Sequence, residues 1–337
     1  MLANNKATAL KYTKDPILIC KSDKPSQQLF YVPDAALPAL SIDNCDPMSL
    51  VSPEELFYLK KKYRAPQSLI KKNQQCYAEN SDEIDIGDDI SLEKKLFCKS
   101  LEDIILNKIK RTYRNESANF IPHYAREETG IKCFHTQVVG SSSVGKSWTT
   151  AECVKRNFKA ASAIYVFSPT ASKDKAWKDL KGTPGFGKKV KLINSNEVNT
   201  PIPLGELLGG SVLIIDDPDA VRQPAKQYIT ELQSEALFHG RHHTDADGVG
   251  MTVFSICHDA WAVADKGLKS SNIESSRVIC FPNLNRSIVT KYLSKRLHWS
   301  SKEIKEAYKF IRRNDRWMCI YSHCPNLLMT KHGCMLL

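Results

Sequence analysis

The chain has 337 residues, 42% of them hydrophobic, with a formal net charge of +11. That is enough apolar material for a large core, while no run approaches the ~18 apolar residues of a membrane-spanning helix, so no membrane span is expected. Eleven cysteines, an odd number without regular spacing, argue against a disulfide framework and for a reducing, intracellular setting. Lys6, Lys11 and Lys14 lead into no continuous apolar segment of a signal peptide. The charge is unevenly placed. Residues 1–130 carry 19 Lys and Arg against 19 Asp and Glu, and residues 131–337 carry 29 against 18. A basic C-terminal part suits a polyanionic partner, nucleic acid first and a membrane surface second; a plain solubility charge is the alternative.

Taken in order, residues 1 to about 95 read as loosely organised, with Pro16, Pro25, Pro33, Pro38, Pro47, Pro53 and Pro66 interrupting regular structure. One short helix is predicted from Pro53 to Tyr63, and an acidic stretch runs from Asp82 to Asp89. Leu96, Leu101, Ile104, Ile105 and Ile109 recur at roughly helical spacing and predict a helix over Leu92–Arg114. Residues 1–115 are therefore expected to form an accessory region, partly disordered. From about Phe120 the pattern changes. Apolar runs at Thr136–Val139, Ile164–Phe167, Val190–Ile193, Val212–Ile215, Met251–Ile256, Val278–Phe281 and Trp317–Tyr321 predict strands. Helices are predicted at 146–158, 173–181, 223–238, 286–297 and 301–313, the last opened by a capping box of Ser300 and Glu303. Strands alternating with helices predict an α/β fold, a mainly parallel sheet flanked by helices, over residues 116–337.

The strongest chemical signal is Gly140-Ser141-Ser142-Ser143-Val144-Gly145-Lys146-Ser147, which fulfils G-x-x-x-x-G-K-[ST], the P-loop or Walker A pattern. It follows the apolar Val138-Val139 and precedes a helix-compatible stretch beginning Ser147-Trp148. The glycines let the backbone wrap around phosphate oxygens, and the helix N-terminus adds a favourable dipole. Lys146 is expected at the β- and γ-phosphates of ATP and the Ser147 hydroxyl on Mg2+. Val212-Leu-Ile-Ile215-Asp216-Asp217 then has the Walker B form, an apolar strand delivering two carboxylates to the C-terminal edge of the sheet. Asp216 is expected to hold the Mg2+ shell and Asp217 to orient or deprotonate the attacking water. A polar strand end, Cys257-His258-Asp259, offers His258 as a γ-phosphate sensor. Gly240-Arg241-His242-His243 offers Arg241 as an arginine acting on a neighbouring subunit's ATP, with Arg277 as its competitor.

Other P-loop classes lack their signatures. No N/T-K-x-D guanine reader follows the P-loop, since Thr13-Lys14-Asp15 lies upstream with the wrong spacing. Arg312, Arg313 and Arg316 are too far along the chain for a small-molecule kinase lid, and protein-kinase motifs are absent.

With these residues placed, the sequence resembles the genome-packaging ATPases of large double-stranded DNA viruses, the poxvirus-type branch of the FtsK–HerA superfamily. The resemblance covers about residues 117–333. It is carried by Thr136-Gln-Val-Val-Gly140, Val166-Phe-Ser168-Pro169-Thr170, Ile214-Ile-Asp216-Asp217, Gly240-Arg241-His242, Ile256-Cys-His258-Asp259, Asn272 with Ser276-Arg-Val-Ile-Cys-Phe281-Pro282, and Arg316-Trp317. Family members often carry Gln or His where His258 stands. The resemblance implies a RecA-like core and a homo-oligomeric ring around double-stranded DNA. It implies ATP hydrolysis that drives the genome into a preformed capsid, with capsid or portal vertex proteins as partners. It places the protein in the host cytoplasm or nucleus at sites of virion assembly, or in the virion. Such a motor grips phosphates rather than bases. Candidate contacts are Lys188, Lys189 and Lys191 on the loop with Gly182, Gly185 and Gly187, which is preferred, or Lys291, Lys295 and Arg296 on a late helix. The alternatives are another DNA translocase or helicase-type ATPase, or a non-catalytic DNA-binding assembly protein.

Two further patterns end the chain. Cys319, His323, Cys324, His332 and Cys334 fit no standard zinc spacing. Cys334-Met-Leu-Leu337 satisfies the prenylation pattern C-a-a-X, but the plainer reading, an apolar tail, is favoured.

Overall fold

The computed structural model describes residues 2–3, 17–22, 28–31, 51–63, 97, 100, 101, 104, 112–114, 119–122, 133–258, 271, 274–282, 286–312, 315–321 and 327–336. The elements in chain order are β1 (Leu2–Ala3), β2 (Ile17–Lys21), β3 (Leu29–Tyr31), α1 (Pro53–Tyr63), β4 (Thr112–Arg114), β5 (Ile121–Pro122), β6 (Thr136–Val139) and α2 (Lys146–Asn157). There follow β7 (Ile164–Ser168), α3 (Lys175–Gly182), β8 (Val190–Asn194), β9 (Val212–Asp216), α4 (Ala225–His239) and β10 (Thr252–Cys257). The last are β11 (Arg277–Cys280), α5 (Arg286–Lys295), α6 (Ser301–Phe310), β12 (Met318–Tyr321), β13 (Leu327–Thr330) and β14 (Gly333–Leu336).

Ten strands make one sheet in the order β4-β14-β13-β12-β11-β6-β10-β9-β7-β8. From β11 to β8 the neighbours are parallel; from β12 outward they are antiparallel. The parallel strands are apolar on both sides because both faces are covered. Ile164, Val166, Val212, Ile214, Phe254 and Ile256 pack towards α2 and α3, where Val154, Trp177 and Leu180 meet them. The alternate residues Tyr165, Phe167, Leu213, Ile215 and Val253 pack towards Ile229, Leu232 and Ala236 of α4. On that same face, Val139 and Val278 meet Leu293 of α5 and Ala307 of α6. A period of two along each strand thus feeds two helical layers. The Ser300–Glu303 capping box forms in full and opens α6, worth about 1 kcal/mol.

The strands and helices expected from residue 136 onward stand where the periodicity puts them, within three residues at each end. Three expectations change. The predicted helix over Leu92–Arg114 is helical at Phe97, Ser100, Leu101 and Ile104, but 112–114 is strand. There a β-branched and an aromatic residue, Thr112 and Tyr113, pair with Met335 and Cys334. The chain end is not a loose apolar tail: β13 and β14 form a hairpin that extends the main sheet. In the proline-rich N-terminal part, β1, β3, β2 and β5 form a second sheet, with β2 joined to β5. β4 itself belongs to the main sheet. The acidic stretch Asp82–Asp89 lies outside the described residues, as do Asp259, Asn272, Arg313, His323 and Cys324.

Candidate functional site

The parallel topology brings the carboxyl ends of β6, β10 and β9 side by side, with β10 in the middle. Two backbone bonds lock the three ends together. Gly140 N–H donates to the Cys257 carbonyl at 3.2 Å, and Asp217 N–H donates to the Ile256 carbonyl at 3.1 Å. The residue that follows β10, His258, therefore stands between the P-loop and the paired carboxylates.

The loop from Gly140 to Gly145 is tightly wound. A Cβ on Gly140 would lie 2.9 Å from side-chain carbons of Phe281 and Val144, so the strand-to-loop exit admits only glycine without rearrangement. Ser143 and Gly145 have φ of 64° and 103°, the left-handed turns that point successive N–H groups into one concavity. Gly145 is the N-cap of α2 and supplies no side-chain cap, and the first turn holds no acidic residue. The orphan N–H groups and the positive end of this helix are thus left to an external anion.

Lys146 is buried, and its Nζ donates to the carbonyls of Gly140 at 2.9 Å and Ser141 at 3.2 Å. The same Nζ lies 3.4 Å from His258 Nδ1 and 3.8 Å from Asp217 Oδ1. His258 Nε2 lies 3.1 Å from Asp217 Oδ1, closing a triangle of cation, imidazole and carboxylate. Asp217 has φ of 49°, a left-handed conformation that Asp tolerates, and this turn swings its side chain off the strand into the cleft. Ser142, Ser143, Gly145, Ser147 and Trp148 line that cleft of about 510 Å3 with Lys146, Asp217 and His258; the Trp148 ring is half-exposed beside it.

Asp216 behaves differently from its neighbour. It is buried at the end of β9, and Trp177 Nε1 of α3 donates to its Oδ2 at 3.0 Å. Its Oδ1 is buried with no hydrogen-bond partner among the described residues. Burial first, then the charge of Asp217, push its carboxyl up from 3.8 to about 6, against the opposing hydrogen bonds from Trp177 and Ser168. An orphaned buried carboxylate oxygen is costly unless something cationic meets it. The Ser147 hydroxyl lines the cleft and Asp216 lies buried at the strand end rather than in its lining; both are oxygen donors of the kind a hard divalent cation such as Mg2+ takes.

Sequence reasoning missed the contribution of α3. Asp174, Lys175, Ala176 and Asp179 line the cleft opposite the P-loop, and Trp177 holds Asp216 from 39 positions away. Only the Asp174 cap, which accepts from Ala176 N–H, left a linear signal. In the sequence Arg316 stands out only within the resemblance and as an arginine too far along for a kinase lid. Its Nε donates to the Val144 carbonyl at 3.1 Å and its guanidinium lies over Gly145, bracing the P-loop from outside.

Other expected residues lie elsewhere. Arg241 sits on the 3-10 turn Gly240–His242 with its Nε 3.0 Å from His242 Nε2, exposed. This turn joins Met251 at the start of β10, so Arg241 stands at the opposite edge of the sheet from its own P-loop. Arg277 is buried, with its guanidinium 4.0 Å from the Phe134 ring and 4.7 Å from the Tyr321 ring. Lys189 and Lys191 stand at the start of the edge strand β8, also away from the P-loop. Cys319 and Cys334 are buried within β12 and β14, where Cys334 faces Met329 and Tyr113 across the sheet.

The fold and this strand-end arrangement define a P-loop NTPase core. No protein-family model matches the chain, and no curated protein sequence matches it. Among solved structures, the chain is similar to the genome packaging NTPase B204 from Sulfolobus turreted icosahedral virus 2 in complex with ATP-gammaS. The identity is 16% and the TM-score 0.34, over 61% of this chain and 99% of that one. It is similar also to B204, the DNA-packaging ATPase from Sulfolobus turreted icosahedral virus, at 18% identity and TM-score 0.35, over 59% of this chain and 96% of that one. A third similarity is to the pCW3 conjugation coupling protein TcpA, monomer form with ATPgS. There the identity is 10% and the TM-score 0.36, over 66% of this chain and 65% of that one.

Proposed function

We propose that this protein is an ATP-hydrolysing motor that translocates double-stranded DNA, working as a homo-oligomeric ring that drives a viral genome into a preformed capsid. The observation that carries the ATPase reading is the meeting of Lys146, His258 and Asp217 at three adjacent strand ends, beside a helix N-terminus left uncapped. The DNA and capsid rest on the segment-by-segment resemblance and on the basic balance of residues 131–337.

In this reading the backbone N–H groups of residues 141–146 hold the phosphates of ATP, and the Lys146 ammonium exchanges its carbonyl partners for the β- and γ-phosphate oxygens. Asp216 Oδ1 and the Ser147 hydroxyl would hold Mg2+, which when bound would supply charge neutralisation at the transferring phosphoryl group. Asp217 orients the attacking water and accepts its proton. His258, touching both Lys146 and Asp217, reads whether the γ-phosphate is present and passes that state along β10. Arg241, at the far edge of the sheet, serves a neighbouring subunit.

The test is displacement of a triplex-forming third strand from a duplex, which needs directed movement but no strand separation. ATP-dependent displacement by wild type that is lost in Lys146→Ala is expected. Separation of the duplex itself would replace packaging by a helicase. No displacement alongside intact DNA binding would leave an assembly protein.

A further inference from the structure

At the edge of the sheet opposite the P-loop, the end of α2, the turn after it, strand β2 and the loop before β8 enclose a second cleft, of about 480 Å3. Among the described residues its lining brings together Lys21, Lys155, Arg156 and Lys159 without a carboxylate. These cations come from segments more than a hundred residues apart in sequence, and backbone carbonyls hold two of them, Lys21 and Arg156. Lys21 Nζ reaches the Arg156 carbonyl at 3.4 Å, and Arg156 Nη1 donates to the Asn119 carbonyl at 2.9 Å. Lys189 Nζ donates to the Lys159 carbonyl at 2.8 Å, which fixes the 182–189 loop to the rim. Lys155 also pairs with Glu152 at 2.9 Å, a half-open contact one turn back on the same helix, weak enough for another anion to compete.

We propose that this cleft holds the sugar-phosphate backbone of duplex DNA. The assignment rests on the motor reading for its occupant and goes beyond it in naming where the grip lies. The charge complements a polyanion. The donors are ammonium and guanidinium groups suited to phosphate oxygens. Among the described residues the only aromatic in the lining, Phe186, is buried, so they offer no exposed ring on which an unstacked base could lie. The position also gives the grip a mechanical connection. α2 has 12 residues, about 18 Å of rigid rod, with Lys146 at one end on the ATP site and Lys155 and Arg156 at the other on the cleft. The sequence-based preference for the 182–189 loop is thereby extended to a composite surface whose main cations lie on the helix end and on β2.

The experiment is fluorescence anisotropy of a labelled duplex of arbitrary sequence with the full chain across a salt series. It compares wild type with Lys155→Glu/Lys159→Glu and, for the late helix, Lys291→Glu/Lys295→Glu. Basal ATP turnover without DNA and the unfolding midpoint verify that each variant is folded; Lys155→Gln/Lys159→Gln replaces the reversal if it is not. The expected result is a cleft variant with binding on the order of 50-fold weaker at ~0.1 M salt and a log–log salt slope shallower by about 1.8, with the late-helix variant close to wild type. Unchanged affinity and slope in the cleft variant overturns the assignment, as does an equal loss in the late-helix variant. Displacement of the duplex by poly-glutamate at equal charge concentration also overturns it, in favour of an acidic protein partner. A wild type that binds no duplex at any salt sinks the motor reading itself, an outcome distinct from failure of the cleft alone.

Discussion

Replacing Asp216 by Asn should stabilise the protein while destroying its catalytic site, and the size of the effect follows from its surroundings. The carboxyl rises from 3.8 to about 6 because it is buried beside Asp217. The folded state therefore binds this proton more tightly than the unfolded chain does. Its contribution to stability is fully present below about pH 4 and is lost as pH rises through about 6. Above that, holding the ionised carboxylate costs about 3 kcal/mol, and at pH 5 about half of it. Asn keeps an oxygen for the Trp177 N–H and carries no charge. Urea unfolding of the nucleotide-free protein should show Asp216→Asn more stable than wild type by up to about 3 kcal/mol at pH 7.5, with the gap narrowing towards pH 5. Adding ATP with Mg2+ should raise the stability of wild type and not of the variant. A variant less stable than wild type at pH 7.5, or a gap independent of pH, would refute this account of the buried carboxylate.

Trp177→Phe keeps an aromatic ring but removes the indole N–H from Asp216. Since that bond holds the carboxyl down, its loss should move the acid limb of the ATPase pH profile upward; an unchanged profile contradicts the positioning role. Gly140→Ala forces Phe281 or Val144 to move, so thermal unfolding should report a loss of about 1–3 kcal/mol and ATP affinity should fall. Arg277→Ala should cost about 2–4 kcal/mol in chemical denaturation by emptying the space between two rings, yet leave turnover per folded molecule near wild type. Arg241→Ala should do the reverse, with stability within about 0.5 kcal/mol of wild type and turnover reduced only in the assembled oligomer, measured by kinetics across protein concentrations.

The P-loop and the Asp216-Asp217 pair were legible because contiguous residues encode them: glycines where the backbone must turn, then an apolar run ending in acid. The sheet core was legible for the same reason, since strands such as Val212–Asp216, buried on both faces, write themselves as unbroken apolar runs. What escaped depends on distance along the chain. Nothing near Trp177 announces that its N–H meets a carboxylate 39 residues on, or that Arg316 lies against a loop closed 171 residues earlier at Gly145. The strand at 112–114 escaped because its partner, β14, is a short apolar segment near the chain end that reads as a tail when taken alone. Arg241 and Arg277 looked equivalent in sequence; only burial separates them.

The central claim is that this cleft hydrolyses ATP in the service of movement along double-stranded DNA. Its most direct test is the steady-state ATPase rate of the purified protein with and without duplex DNA, beside Lys146→Ala. The account predicts turnover that duplex DNA stimulates and that the substitution abolishes. Turnover indifferent to DNA would contradict the motor, and none under any condition, in a folded and oligomeric protein, would contradict the enzyme.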